Sequence, residues 1–192
     1  TRWMLSKYLN MFCDLISKDP SFHVSVNVSP VDLLDNSLLR SIREILEQSR
    51  FPEGNLYIEV TENAIMKNPV RSAEILDMFH DSGIMVSIDD FGTGYSSLAY
   101  LQKFPISELK IDKSFVTDLT ESSANYSIVS ATITMAHDLG ITVVAEGVED
   151  LAVLKILELM GCDRAQGYLY ARPLRFEDML EWIGSYKKTE AG

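Results

Sequence analysis

Short apolar, β-branched runs recur along the chain, each ending in a polar or charged residue and each followed by a longer amphipathic stretch. The runs cover His23 to Val28, Leu56 to Val60, Met85 to Ile88, Glu108 to Ile111, Thr142 to Ala145 and, more weakly, Arg164 to Gly167. Runs of this length and composition predict strands. Between them, apolar residues at helical spacing predict helices over Leu38 to Gln48, Val70 to Asp81, Ser96 to Lys103, Ser123 to Leu139, Leu151 to Leu159 and Phe176 to Tyr186. A further helix is expected over Trp3 to Ile16. Leu174, Phe176, Met179, Leu180, Trp182 and Ile183 form an apolar stripe suited to a helix that closes against the fold. Gly83, Gly140 and Gly161 stand where a left-handed C-cap ends a helix just before a strand. Asp32 and Asn36 suit caps ahead of the helix carrying Leu38 and Ile42.

Strands that alternate with helices predict a parallel sheet with crossover helices. The polar residues at the strand ends then choose between an open sheet and a barrel. Asn27, Glu59, Asp89, Lys110, Glu146 and Gln166 each lie at or near the C-terminal end of a strand. In a (β/α)₈ barrel those ends converge on one mouth, where active sites form. An open doubly wound sheet would draw only on strands near its switch point. The expected fold is therefore α/β, a TIM-like barrel over residues 1–186, with a polar tail at 187–192. Six strand–helix units are two short of eight. Since a full barrel takes about 250 residues, the first two units are expected to lie upstream of residue 1.

Composition narrows the class without changing the fold. Hydrophobic residues make up 46% of the 192 and charged residues 23%, an ordinary globular balance. No apolar run approaches the length of a membrane span and no signal peptide opens the chain. Cys13 and Cys162 form no metal or redox spacing and read as buried thiols in a reducing compartment, so a cytoplasmic location is expected. The net charge of −11 disfavours long nucleic acid as a partner, but not a small phosphate ligand held through cations.

The acids carry the candidate chemistry. Glu59 and Glu62 stand three apart where a strand runs out. Asp89 and Asp90 are adjacent, so both reach the barrel axis only if the chain turns there, as the following Phe91-Gly92-Thr93-Gly94 suggests. Asp112 follows Lys110 by two, and Glu146 and Glu149 again bracket a strand end. A single strand-end acid is most simply a helix cap or a solvated group. Five or more at one mouth would repel unless cations sat among them, and oxygen ligands suit Mg²⁺ or Mn²⁺. His23, His80 and His137 are scattered and offer no zinc cluster. Two hard cations with a lysine nearby suit phosphodiester hydrolysis.

Six strings, in order, resemble the successive motifs of EAL domains. They are Asn27-Val28-Ser29, Glu59-Val60-Thr61-Glu62, the ten residues from Asp89 to Leu98, Leu109 to Val116, Ala145 to Glu149, and Gln166-Gly167-Tyr168. The resemblance implies a TIM-like barrel that hydrolyses cyclic di-GMP to linear pGpG with Mg²⁺ or Mn²⁺, two ions being expected, in bacterial signalling. It further implies that Asn27, Glu59, Asp89, Asp90 and Glu146 bind metal, Glu146 serving as ligand or as base. Lys110 would orient the attacking water, with Asp112 as its partner and Glu149 and Gln166 lining the site. Glu62 would brace the loop after Asp90, through which a homodimer is expected, and an upstream regulatory domain is common in such proteins. The Glu-Ala-Leu strand that names the family has no counterpart here, since the only Glu-Ala, Glu190-Ala191, lies in the polar tail. The alternative is a non-catalytic cyclic di-GMP receptor or interaction module of the same fold.

Overall fold

A computed structural model describes residues 2–49, 51–94 and 98–190. Six strands, β1 (Val24–Asn27), β2 (Leu56–Thr61), β3 (Met85–Phe91), β4 (Glu108–Ile111), β5 (Thr142–Glu146) and β6 (Arg164–Gln166), form one sheet. All neighbours are parallel and the spatial order is the sequence order. The sheet curls into a half-barrel, with β1 and β6 at its two edges. All six predicted strands are present, several running one to three residues further than the apolar run.

The crossover elements pack on the outer face of the sheet. Helix α1 (Arg2–Lys18) packs on α3 (Asn36–Ser49), and α5 (Pro69–His80), α8 (Ala124–Asp138) and α9 (Leu151–Leu159) cover the sheet beyond. Ile58, Val60, Val86, Ile88, Leu109, Ile111, Val143 and Ala145 are buried and belong to one core with Leu9, Ile42, Leu76, Phe79, Ile133 and Leu157 of those helices. Residues alternate in direction along a strand. This apolar set therefore faces the helices, and the intervening Glu59, Asp89, Lys110 and Glu146 face the barrel axis. Burying each large apolar side chain stabilises by about 1.5–3 kcal/mol, so the outer face holds the fold while the inner face is left for polar groups.

Glycines end the helices as the sequence predicts: Gly83, Gly140 and Gly161 all have positive φ. The cap before α3 differs from expectation. Asp35, not Asp32, accepts from Ser37 N at 2.8 Å, because Asp32 already belongs to the one-turn helix α2 (Pro30–Leu33). Two more one-turn helices, α4 (Glu62–Met66) and α7 (Lys113–Val116), follow strands directly, capped by Thr61 and Asp112. Of the predicted Ser96–Lys103 helix, α6 (Leu98–Leu101) is seen, and Ser96 and Ser97 lie outside the described residues. The closing helix α10 (Phe176–Glu190) runs on into the expected tail, whose last two residues lie outside the described ones. Phe176 meets Phe12 of α1 edge-to-face at 5.1 Å, so the first and last helices touch. Among the described residues no helix is long and apolar enough to cross a membrane. Cys13 and Cys162 are half-buried, each donating to a backbone carbonyl.

Candidate active site

The inner face places one cation among three anions. Lys110 Nζ lies 2.6 Å from Glu146 Oε1, 3.2 Å from Glu59 Oε1 and 3.4 Å from Asp89 Oδ1. These four side chains come from β2, β3, β4 and β5, all in the middle of the sheet. Lys110 is only 4% exposed, so its charge is screened little by water. Burial alone would lower its pKa, but the Glu146 hydrogen bond and the charges of Glu59, Glu146 and Asp89 outweigh that and hold it above the usual lysine range. Glu146 is pushed up by its own burial, although Lys110 pulls it back.

Asp90 joins the cluster through a backbone irregularity. Ile88 pairs with Leu109 and Phe91 with Ile111, so β3 spends one residue more than β4 over the same stretch. This is a β-bulge, and Asp90 within it has φ of 56°, a left-handed conformation that Asp tolerates better than most residues. The bulge cancels the alternation that would send adjacent side chains to opposite faces. Carboxylate oxygens of Asp89, Asp90 and Glu146 consequently lie within 4.8 Å of one another. Burial and then the repulsion of Asp89 and Asp112 raise Asp90 above the usual carboxylate range. Asp89 Oδ1, fully buried, accepts no hydrogen bond among the described residues; its 3.4 Å approach to Lys110 is an ion pair without hydrogen-bond alignment. An all-oxygen cluster with a spare buried acceptor fits a hard divalent cation.

The other predicted residues are spread more widely. Asn27 pairs in register with Glu59 and Gln166 with Glu146, but both are exposed because β1 and β6 are edge strands. Glu149 is exposed just before α9. Asp112 follows the last residue of β4, and its charge still reaches Asp90. Asp112 Oδ1 also caps α7, accepting from Ser114 N at 2.9 Å, and these hydrogen bonds hold the carboxyl below its usual range against the opposing effect of burial. Glu62 is buried under the loop that follows β3, where its Oε2 accepts from Gly92 N at 3.0 Å. Gly92 has the positive φ expected of a turn, but Gly94 does not. Gly94 is required for another reason: a Cβ there would stand 2.7 Å from Glu62 Oε1. Tyr95, Ser96 and Ser97 of this loop lie outside the described residues.

Sequence reasoning missed a second polar layer, two residues deeper along the strands. Glu108, 2% exposed, accepts from Ser87 Oγ at 3.0 Å and pairs with Arg164 NH1 at 2.7 Å. The signal was available: Glu108 and Arg164 precede Lys110 and Gln166 by two, which fixes them to the same face.

Three comparisons bear on this geometry. A family model described as EAL domain matches residues 1–173. The cyclic di-GMP phosphodiesterase NbdA of Pseudomonas aeruginosa is 42% identical over 164 residues, which is 85% of this chain and 21% of NbdA. Among solved structures, the PaMucR phosphodiesterase in complex with c-di-GMP aligns with a TM-score of 0.87 at 36% identity, over 93% of this chain and 72% of that one. A manganese and cy-diGMP complex of Klebsiella pneumoniae BlrP1 aligns at 0.80 and 30% identity, over 88% of this chain and 43% of that one. The chain spans 21% of the length of one curated relative it matches and 31% of another. The six-stranded half-barrel is the corresponding part of the TIM-like barrel of the EAL structures.

Proposed function

The chain belongs to the EAL domain family, and from that premise we propose that its charged cluster serves the hydrolysis of cyclic di-GMP to linear pGpG. The observation that carries the reading is the Lys110 ammonium set among Glu59, Asp89 and Glu146, beside an Asp90 brought in by a bulge. The carboxylates outnumber the cation they surround, an imbalance that a divalent ion relieves. The c-di-GMP and manganese complexes of relatives support the same substrate and ion class.

Glu59, Asp89, Asp90 and Glu146 would hold Mg²⁺ or Mn²⁺, with Asn27 contributing from the neighbouring strand. Such ions, two in this proposal, supply Lewis-acid stabilisation of the attacking and leaving oxygens of a phosphodiester. Lys110 keeps its proton throughout and offers fixed hydrogen-bond donors toward a water or a phosphate oxygen, preorganised by its buried partners. Glu146, within hydrogen-bond reach of Lys110, is the group best placed to take a proton from attacking water. Glu62 holds the loop beyond Asp90 through Gly92 N, keeping the bulge in shape.

The test is incubation of the purified protein with cyclic di-GMP and Mn²⁺, following pGpG by chromatography, with Glu59→Ala as control. Turnover in the parent and its loss in the variant is the expected result. Tight binding of cyclic di-GMP without turnover would replace the hydrolase by a receptor of the same fold, and absence of both would end the reading.

A further inference from the structure

Beneath the charged cluster lies a buried charge for which the proposed chemistry has no use. Glu108 is the first residue of β4, and its carboxylate reaches Ser87 of β3 through one oxygen and Arg164 of β6 through the other. The Arg164 contact is unusual in its span. β4 hydrogen-bonds to β5 and β5 to β6, with Glu108 beside Thr142 and Val144 beside Arg164. The pair therefore bridges an intervening strand on the inner face. Strands two apart in a flat sheet lie about 9.5 Å from each other, so a 2.7 Å ion pair over β5 ties a chord across the curve. His23, at the foot of β1, also feels this layer. Its own burial and the Arg164 charge push its imidazole below the usual range, so Arg164 is felt across to the opposite edge of the half-barrel.

A carboxylate this buried costs several kcal/mol in desolvation, which its partners offset but rarely exceed. Stability alone is thus a weak reason for the pair, and its position suggests another. Lys110 stands two residues beyond Glu108 on the same strand and face. Glu146 stands two beyond Val144 on β5, and Gln166 two beyond Arg164 on β6. The ion pair is the layer directly under the Lys110–Glu146 contact.

We propose that Glu108 and Arg164 form a positioning strut, which sets the curvature of β4–β5–β6 and thereby holds Lys110 against Glu146. The strut touches no reacting group and acts through Lys110. Its relevance to catalysis rests on the hydrolase reading, but its effect on Lys110 does not.

The experiment follows the Lys110 ammonium by ¹⁵N NMR in metal-free protein, in the parent, Glu108→Gln, Arg164→Met and the exchanged pair E108R/R164E. Folding is checked by circular dichroism, and kcat and KM for cyclic di-GMP are measured alongside. Losing the strut should speed hydrogen exchange of the Lys110 ammonium on the order of tenfold, the worth of one charge-assisted hydrogen bond. The exchanged pair should return it to within about twofold of the parent, because residues in direct contact act as a unit and their single losses do not add. Folded single variants whose Lys110 exchanges as in the parent would overturn the strut. If Arg164→Met does not fold, Arg164→Lys, which keeps the charge and loses reach, carries the same comparison. A parent that protects Lys110 but does not turn over cyclic di-GMP would sink the hydrolase reading and leave the strut standing.

Discussion

Asp89 and Asp90 are neighbours in sequence, yet they present carboxylate oxygens to the same cluster, because β3 carries an extra residue at this point and Asp90 turns left-handed. Charge and backbone shape can be separated here by substitution. Asp90→Asn keeps a residue that accepts positive φ, so its unfolding free energy should stay within about 0.5 kcal/mol of the parent. Its Mn²⁺ affinity should fall on the order of tenfold or more. Asp90→Val should lose the same affinity and a further 1–2 kcal/mol or so through backbone strain. Calorimetric titration with Mn²⁺ and urea unfolding read the two effects, and unchanged Mn²⁺ binding by Asp90→Asn would remove Asp90 from the ligand set.

Lys110→Met removes the cation that, among the described residues, pairs with Glu59, Asp89 and Glu146. At pH 7 this should cost about 3 kcal/mol, the usual penalty for orphaning buried charges. Glu146, which burial already pushes up, would lose the Lys110 contacts that pull it back and would titrate higher still in the folded variant. Its penalty is full above the raised value and disappears as pH falls below the unfolded one. The stability gap to the parent should therefore narrow between pH 7 and pH 4, and millimolar Mn²⁺ at pH 7 should narrow it too. A gap constant with pH in urea titrations would show that the cost is packing.

Gly94 and Glu62 should be coupled. Gly94→Ala puts a Cβ 2.7 Å from Glu62 Oε1, whose side chain cannot swing away without releasing Gly92 N. We expect a loss of about 1–2 kcal/mol from such overpacking. In a Glu62→Ala background the same substitution should cost under about 0.5 kcal/mol, since exposed Asn63 can rotate aside. A double-mutant cycle by thermal unfolding measures this, and additive losses would mean that the two do not meet.

Much of this arrangement was legible in the chain. The outer faces of β1 to β5 are written mainly in Val, Ile and Leu, so those strands were plain and β6 was the weakest, and the C-terminal strand ends pointed to Glu59, Asp89, Lys110 and Glu146. What escaped had physical reasons. The one-turn helices α2, α4 and α7 are too short for helical periodicity, and their caps, Ser29, Thr61 and Asp112, stand at strand ends where polar residues read as site candidates. That Asp112 also caps α7 was hidden because the strand stops at Ile111, where spacing alone gives no sign of a helix start. Glu108 and Arg164 sit at strand starts, away from the mouth where a barrel's chemistry is sought. The need for glycine at 94 arises from a contact 32 residues away in sequence, with Glu62.

Asp163 ties the end of the barrel opposite the cluster. Its Oδ2 accepts from Val143 N at 2.8 Å and lies 2.9 Å from His137 Nε2. Burial opposes ionisation, but the Val143 hydrogen bond and His137 hold the carboxyl below its usual range. A depressed folded pKa stabilises above the unfolded value of 3.8 and is lost as pH falls through the folded one. Asp163→Asn retains an acceptor for Val143 and removes the charge. It should cost about 1 kcal/mol at neutral pH, reduced by the partial exposure of the pair, and nothing once the parent is protonated. Equal deficits at pH 7 and below pH 3 in guanidinium unfolding would contradict this.

The strand order has a consequence for how the chain is made. Each strand pairs with the one before it, so every pairing can form once its later member has left the ribosome, with no insertion between strands already joined. The charges, however, emerge in an awkward sequence: Glu59, Asp89 and Asp90 precede Lys110. Until β4 arrives, the nascent sheet carries unopposed acids on its inner face, which favours keeping that face wet. The lysine's arrival offsets one of those charges, and Glu146 joins the cluster only afterwards. Synthesis thus leaves the acids of β2 and β3 without their lysine until β4 emerges.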